Sequence, residues 1–168
     1  MKRLFYLFIF LFLIHTLGTA QLIKTELQVA GLTCSSCSRA TDKQLRSLDF
    51  IDSIGVDLTN ATFTLYFKND KTIDFDQIKK KVQDAGFSIA GLKFTYKFDN
   101  LKIDSNSYFK YQNMVFYFVS SSPQTLNGDI TLKIIDKGFV SKKEYKEYLH
   151  KVAEQAASPG YRAYHITL

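Results

Sequence analysis

The sequence predicts an α+β fold, and two observations carry that prediction. Between residues 22 and 96 the apolar spacing switches between a period of two and a helical period, in the order strand, helix, strand, strand, helix, strand. Each switch is marked by a glycine, a capping residue or a short polar link. A split pair of βαβ units in this order is the ferredoxin-like arrangement, an antiparallel sheet with both helices on one face. Residues 100–168 place strands and a helix in a different order and read as a second small α+β unit.

The first strand is written in Thr25, Leu27 and Val29, which alternate with polar neighbours until Gly31. From Cys34 to Leu48 the positions Thr41, Leu45 and Leu48 have helical spacing, with no Pro or Gly inside, so a helix begins near the second cysteine. Ile54, Val56 and Leu58 then alternate, as do Phe63, Leu65 and Phe67, and the link Thr59-Asn60-Ala61 makes the two a hairpin. Asp74 with Gln77 three residues on reads as a capping box. It opens a helix whose stripe, Phe75, Ile78, Val82 and Ala85, stops at Gly86 and leaves lysines 79 to 81 mostly on the solvated side. In the last strand Phe87 and Ile89 share one phase and Leu92, Phe94 and Tyr96 the other, which predicts a bulge at Ala90-Gly91.

Beyond residue 100, Leu101 to Asp104, Met114 to Val119 and Ile130 to Ile135 read as strands, with Asn127-Gly128 as a tight turn between the last two. Ser141 with Glu144 opens a helix through about Ala156, Ser158-Pro159-Gly160 breaks it, and Tyr164 to Leu168 closes as a strand. The alternative is a long extension packed on the first unit, because no linker rich in Gly, Pro or Ser separates the two. The expected organisation is a leader at 1–20, a first domain at 22–96 and a second at 100–168.

The leader reads as a secretory signal. Met1-Lys2-Arg3 is a positive start, Leu4 to Ile14 is unbroken apolar sequence, and Gly18-Thr19-Ala20 offers small residues for cleavage before Gln21. Even Leu4 to Leu17 is shorter than the roughly 20 residues a spanning helix needs, so an exported (periplasmic or secreted), soluble chain is expected, without a stable membrane span after cleavage. With 168 residues, 46% of them hydrophobic and 23% charged, the chain can bury a core and is too short for a large multidomain enzyme. The net charge of +6 falls to +4 once Lys2 and Arg3 are set aside, and the lysines are scattered, so no nucleic-acid surface is indicated. Neither a Gly-rich phosphate loop nor a Ser/His/Asp arrangement is present, and no enzymatic activity is expected.

The chemistry lies in Cys34 and Cys37, the chain's two cysteines, where the first strand hands over to the first helix. Unpaired N–H groups and the positive end of the helix dipole stabilise a thiolate there, making it a better ligand and nucleophile. Soft thiolates favour Cu(I), which needs few ligands, whereas a closed zinc site wants four donors and no second cysteine pair exists. His150, His165 and Met114 are thin additional candidates, better read as surface or core residues, and Tyr145 and Tyr148 read as packing.

Gly31-Leu32-Thr33-Cys34-Ser35-Ser36-Cys37 resembles the metal-binding loop of the heavy-metal-associated domain family, usually G-M-T-C-x-x-C. The resemblance covers about residues 23 to 96. It includes the strand order, Leu45 and Leu48, and Asp84-Ala85-Gly86-Phe87, which is similar to the family's helix-ending turn. It implies Cys34 and Cys37 as ligands of Cu(I), or of another soft or divalent heavy metal, passed on by ligand exchange. It also implies a copper transporter or a copper-requiring exported protein as partner. Leu32 stands where the family usually has Met, a side chain that packs under the loop; Thr41 replaces a common Val; Phe87 matches an aromatic near the loop.

Two other readings use the same residues. An exported C-x-x-C pair can form a disulfide and serve a thiol-disulfide redox protein, although the chain has no Trp, no Pro beside the pair and not the thioredoxin element order. In the other, the cysteines are a structural staple in a non-metal protein-interaction module, with residues 100–168 making the main contacts.

Overall fold

A computed structural model describes residues 22–104, 107–119, 121–152 and 160–168. The leader and its cleavage site, the end of the third helix beyond residue 152 and its Ser158-Pro159 break lie outside the described residues. The elements are β1 (Leu22–Ala30), α1 (Ser35–Leu45), β2 (Ile51–Asp57), β3 (Thr62–Phe67), α2 (Phe75–Asp84), β4 (Ser88–Ile103), β5 (Tyr108–Tyr111), β6 (Met114–Phe118), β7 (Gln124–Ile134), α3 (Lys142–Val152) and β8 (Arg162–Thr167). They build an eight-stranded sheet in the order β2-β3-β1-β4-β7-β8-β6-β5. Every pairing is antiparallel except that of β6 with β8.

The first four strands have the ferredoxin-like order, with α1 and α2 on one face. Ser38, Thr41 and Leu45 of α1 and Phe75, Ile78 and Val82 of α2 are buried, at the spacings that put each set on one helix face. They join Leu27, Val29, Phe63, Leu65, Leu92 and Phe94 in or against one core. Asp74 caps α2 by accepting from the N–H groups of Asp76 and Gln77, while the Gln77 amide bonds the Asp74 carboxylate, so the box closes between side chains. The expected bulge is present: Gln28 pairs with Gly91 and Val29 with Ile89, leaving Ala90 over.

Three strand expectations need correction. Val56 and Leu58 remain 44% and 59% exposed, because β2 is the outer strand and core packing reaches only Ile51 and Ile54. Asn127-Gly128 is no turn: it lies inside β7, with Gly128 opposite Phe98. There the register slips by one residue between Phe98 and Leu101, and Gly128 (φ +76°) and Asn100 (φ +50°) take the left-handed conformations such a bulge uses. Leu101 to Ile103 is accordingly the end of β4, and β5, unforeseen, forms a hairpin with β6.

The sheet runs through residues 97–99, where a domain boundary was expected, without interruption: β4 pairs with β1 over Ser88–Tyr96 and with β7 over Leu92–Ile103. It also curls. Three strands separate β4 from β5, which would set them about 19 Å apart in a flat sheet. Yet the rings of Tyr96 and Phe98 lie 4.8 and 5.1 Å from that of Phe109. The bulge at Asp99-Asn100 supplies local bend and twist.

Two polar links fasten the later strands to the first four. The Gln112 side chain accepts from the Ile73 N–H (2.8 Å) and donates to the Lys71 carbonyl (3.1 Å). Asp76 on α2 accepts from Arg162 Nε (2.5 Å), Lys79 Nζ (2.5 Å) and the Tyr164 hydroxyl (3.2 Å). Burial alone would raise the Asp76 pKa, but the hydrogen bonds and charges of Arg162 and Lys79 outweigh it and hold the carboxyl at about 2, against an ordinary 3.8. A carboxyl with a depressed folded pKa contributes stability above its unfolded pKa and loses it as pH falls toward the folded value. Asp76→Asn is therefore expected to cost about 1 kcal/mol at pH 7, much of the ion-pair gain being screened at this partly exposed site. Urea unfolding should show the gap closing between pH 4 and pH 2; a gap of equal size at pH 2 would assign the loss to something other than charge.

Candidate metal centre

β1 delivers the chain to Gly31, whose φ of +86° turns it across the end of the sheet. A Cβ built there would sit 3.7 Å from Phe87 Cδ1, an ordinary contact, so the constraint on Gly31 is its backbone angle. Leu32 is half-buried and packs on the core, which fits the expected role of support beneath the loop. Phe87, also half-buried, closes the other side of that turn. The Val29 N–H donates to the Ala61 carbonyl (3.0 Å), which sets the tip of the β2–β3 hairpin beside the same end.

Cys34 has extended backbone angles (φ −144°, ψ 154°) and is the N-cap of α1. Its sulfur accepts the Cys37 N–H at 3.3 Å, and Ser36 Oγ lies 3.1 Å from it. The first turn of α1 contains no acidic residue, so nothing there opposes the positive end of the dipole. Cys34 is exposed and Cys37 half-buried one turn later, with their Cα atoms 5.3 Å apart. The two sulfurs converge and are joined as a disulfide, so both cysteines are accounted for.

The α1 hydroxyls support this turn. Ser38 Oγ donates to the Cys34 carbonyl (3.4 Å) and Thr41 Oγ1 to the Cys37 carbonyl (3.2 Å). The buried Thr41 is thus a satisfied polar group, and Leu45 and Leu48 are buried in the core.

The remaining candidates do not assemble with the cysteines. No cluster of three or more His, Cys, Asp or Glu occurs among the described residues. Met114 is buried on β6 opposite Arg162, and His165 lies three positions farther along β8, hence on the other face. His165 Nδ1 is 2.7 Å from Asp136 Oδ1, and its N–H donates to Asp136 Oδ2 at 3.0 Å. That pairing was not foreseen; residues 136 and 165 share no motif. His150 is exposed on α3, and Tyr145 and Tyr148 are half-buried there.

The family model for the heavy-metal-associated domain matches residues 26–88. These residues are a heavy-metal-associated domain. The chain is 30% identical over 67 residues to the probable copper-exporting P-type ATPase of Archaeoglobus fulgidus, covering 40% of this chain and 8% of that protein. It is 27% identical over 63 residues to the copper chaperone CopZ of Staphylococcus aureus (strain JH9), covering 38% of this chain and 91% of the chaperone. Among solved structures, a CopZ metallochaperone is 25% identical, with a TM-score of 0.37, over 40% of this chain and 98% of that one. This chain therefore spans less than a tenth of the ATPase's length, and its residues 89–168 lie outside the heavy-metal-associated match.

Proposed function

We propose that this protein is an exported, non-enzymatic metal carrier that holds Cu(I) as cargo between the thiolates of Cys34 and Cys37 and passes it to a copper transporter or a copper-requiring exported protein. The observation that carries this reading is the convergence of two sulfurs at the exposed, positive end of α1, inside residues that match the heavy-metal-associated family. Loading requires the disulfide to be opened by a dithiol, which takes up the oxidation and leaves two thiols here. Each thiol releases one proton as Cu(I) binds, so loading strengthens with pH. Transfer follows when an incoming thiolate joins the ion and one of the two cysteines leaves, a route open because Cys34 faces solvent.

The disulfide itself favours a second reading, in which the pair is a thiol-disulfide redox couple with Cys34 as the attacking sulfur. Anaerobic titration of the reduced protein separates the two. The carrier reading expects one equivalent of Cu(I) retained against a competing Cu(I) chelator, weaker retention of Zn(II), and no catalytic turnover of a disulfide substrate. Turnover without copper retention would replace it with the redox reading.

A further inference from the structure

Beside the metal loop lies an open cleft of about 710 Å³ whose walls come from both the heavy-metal-associated domain and α3. Ala30, the residue before Gly31, and Ser88, the residue after Phe87, form one side, so cleft and metal loop occupy the same end of the molecule. The floor and far wall are apolar: Ile89 and Val140 are buried, while Tyr145 and Leu149 project from α3, Leu149 with 41% of its surface exposed. On α3 the lining positions 142, 145, 146 and 149 follow helical spacing, an apolar pair flanked by lysines.

The charged side chains that line the cleft have one sign, while Glu147 lies with Lys142 and Lys146 in the adjoining hollow. Lys137, Lys142 and Lys146 line it, and no acidic side chain does among the described residues. None of the ion pairs among those residues engages these three lysines; Glu144, on the same helix, is bound to Lys133. An apolar trough edged on its α3 side by three lysines that make no ion pair among the described residues is complementary to a segment that presents apolar side chains among carboxylates.

We infer that this cleft docks an acidic, apolar-anchored segment of the protein that receives the metal, setting the acceptor's ligands over Cys34. The inference rests on the carrier reading above and assigns the choice of partner to α3, outside the family match. It gives the +3 balance of residues 100–168 a location.

The test uses the reduced full chain and three short synthetic peptides: glutamates around a leucine-phenylalanine anchor, the same anchor among lysines, and glutamates alone. Fluorescence anisotropy is expected to show tightest binding for the first, weakening as salt rises. Amide shifts should map to Ala30, Ile89, Tyr145 and Leu149. Lys142→Glu with Lys146→Glu should weaken binding at least about ten-fold, and Leu149→Ser should also weaken it, whereas Lys97→Glu with Lys102→Glu on β4 should not. Equal binding of the lysine peptide, shifts mapping elsewhere, or indifference to the α3 charge reversal would overturn the proposal. So would a cleft occupied by a second copy of this chain in sedimentation, or lysine-dependent binding to phosphatidylserine vesicles without peptide binding. All variants should still take one equivalent of Cu(I). If the unaltered chain takes none while the peptide footprint stands, the carrier reading is the one that fails.

Discussion

Replacing either Cys34 or Cys37 with serine is expected to abolish Cu(I) retention while leaving the fold in place. A serine hydroxyl is a hard donor that stays protonated near neutrality, so each variant keeps one soft ligand where Cu(I) wants at least two. The affinity should fall by at least about a thousand-fold, equivalent to ~4 kcal/mol. Folding should survive for a local reason. Cys34 is the N-cap of α1 and accepts the Cys37 N–H, a role that serine performs well. Cys37 is only half-buried and its substitution changes little volume. Far-UV circular dichroism should therefore match the unaltered protein while the chelator takes all the copper. The measurement belongs at low protein concentration, so that two single-cysteine molecules do not share one ion. Retention of half an equivalent or more by either variant would place a ligand elsewhere. The oxidised protein should behave like both variants until a dithiol is added, then recover, which the serine variants will not do.

Where a strand is half-buried, the sequence states its faces. Leu27 and Val29, Phe63 and Leu65, and the phase change between Ile89 and Leu92 were all readable, and that phase change located the bulge at Ala90. The cysteine pair was readable for the same local reason, since a C-x-x-C at a strand-to-helix junction specifies both exposure and convergence. Its oxidation state was not, because a metal pair and a disulfide share one spacing. Asn127-Gly128 misled because left-handed residues serve bulges as well as turns, and only the partner strand, with Asn100 opposite, decides between them. The insertion of β8 between β7 and β6, parallel to β6, is set by long-range pairing and leaves no local trace. The cleft beside the metal loop is of the same kind: its walls come from residues 30, 83–90 and 137–149, which meet only in the folded chain.

The largest stability loss should follow Phe75→Ala. Phe75 is fully buried on α2, and its ring lies 5.7 Å from Phe94, 6.3 Å from Phe116 and 5.6 Å from Tyr164. One side chain on a helix of the heavy-metal-associated match thus touches residues of three strands, all of them beyond residue 88. Truncating a buried phenylalanine typically costs about 3–5 kcal/mol in lost transfer energy and residual cavity. Against the roughly 5–15 kcal/mol that holds a typical domain together, this is a large share. Its distribution matters more than its size. If the curled eight-stranded sheet unfolds as one body, the amides of β3 near Phe63 and those of β6 near Phe116 should lose protection from hydrogen exchange by the same free energy. Protection lost on β6 and β8 but kept on β1 and β3 would divide the chain into two folding units near residues 97–99. Equal loss instead means that the strands beyond residue 88 and the strands that carry the Cys34–Cys37 loop are held by one packing unit, in which Phe75 joins Phe94, Phe116 and Tyr164.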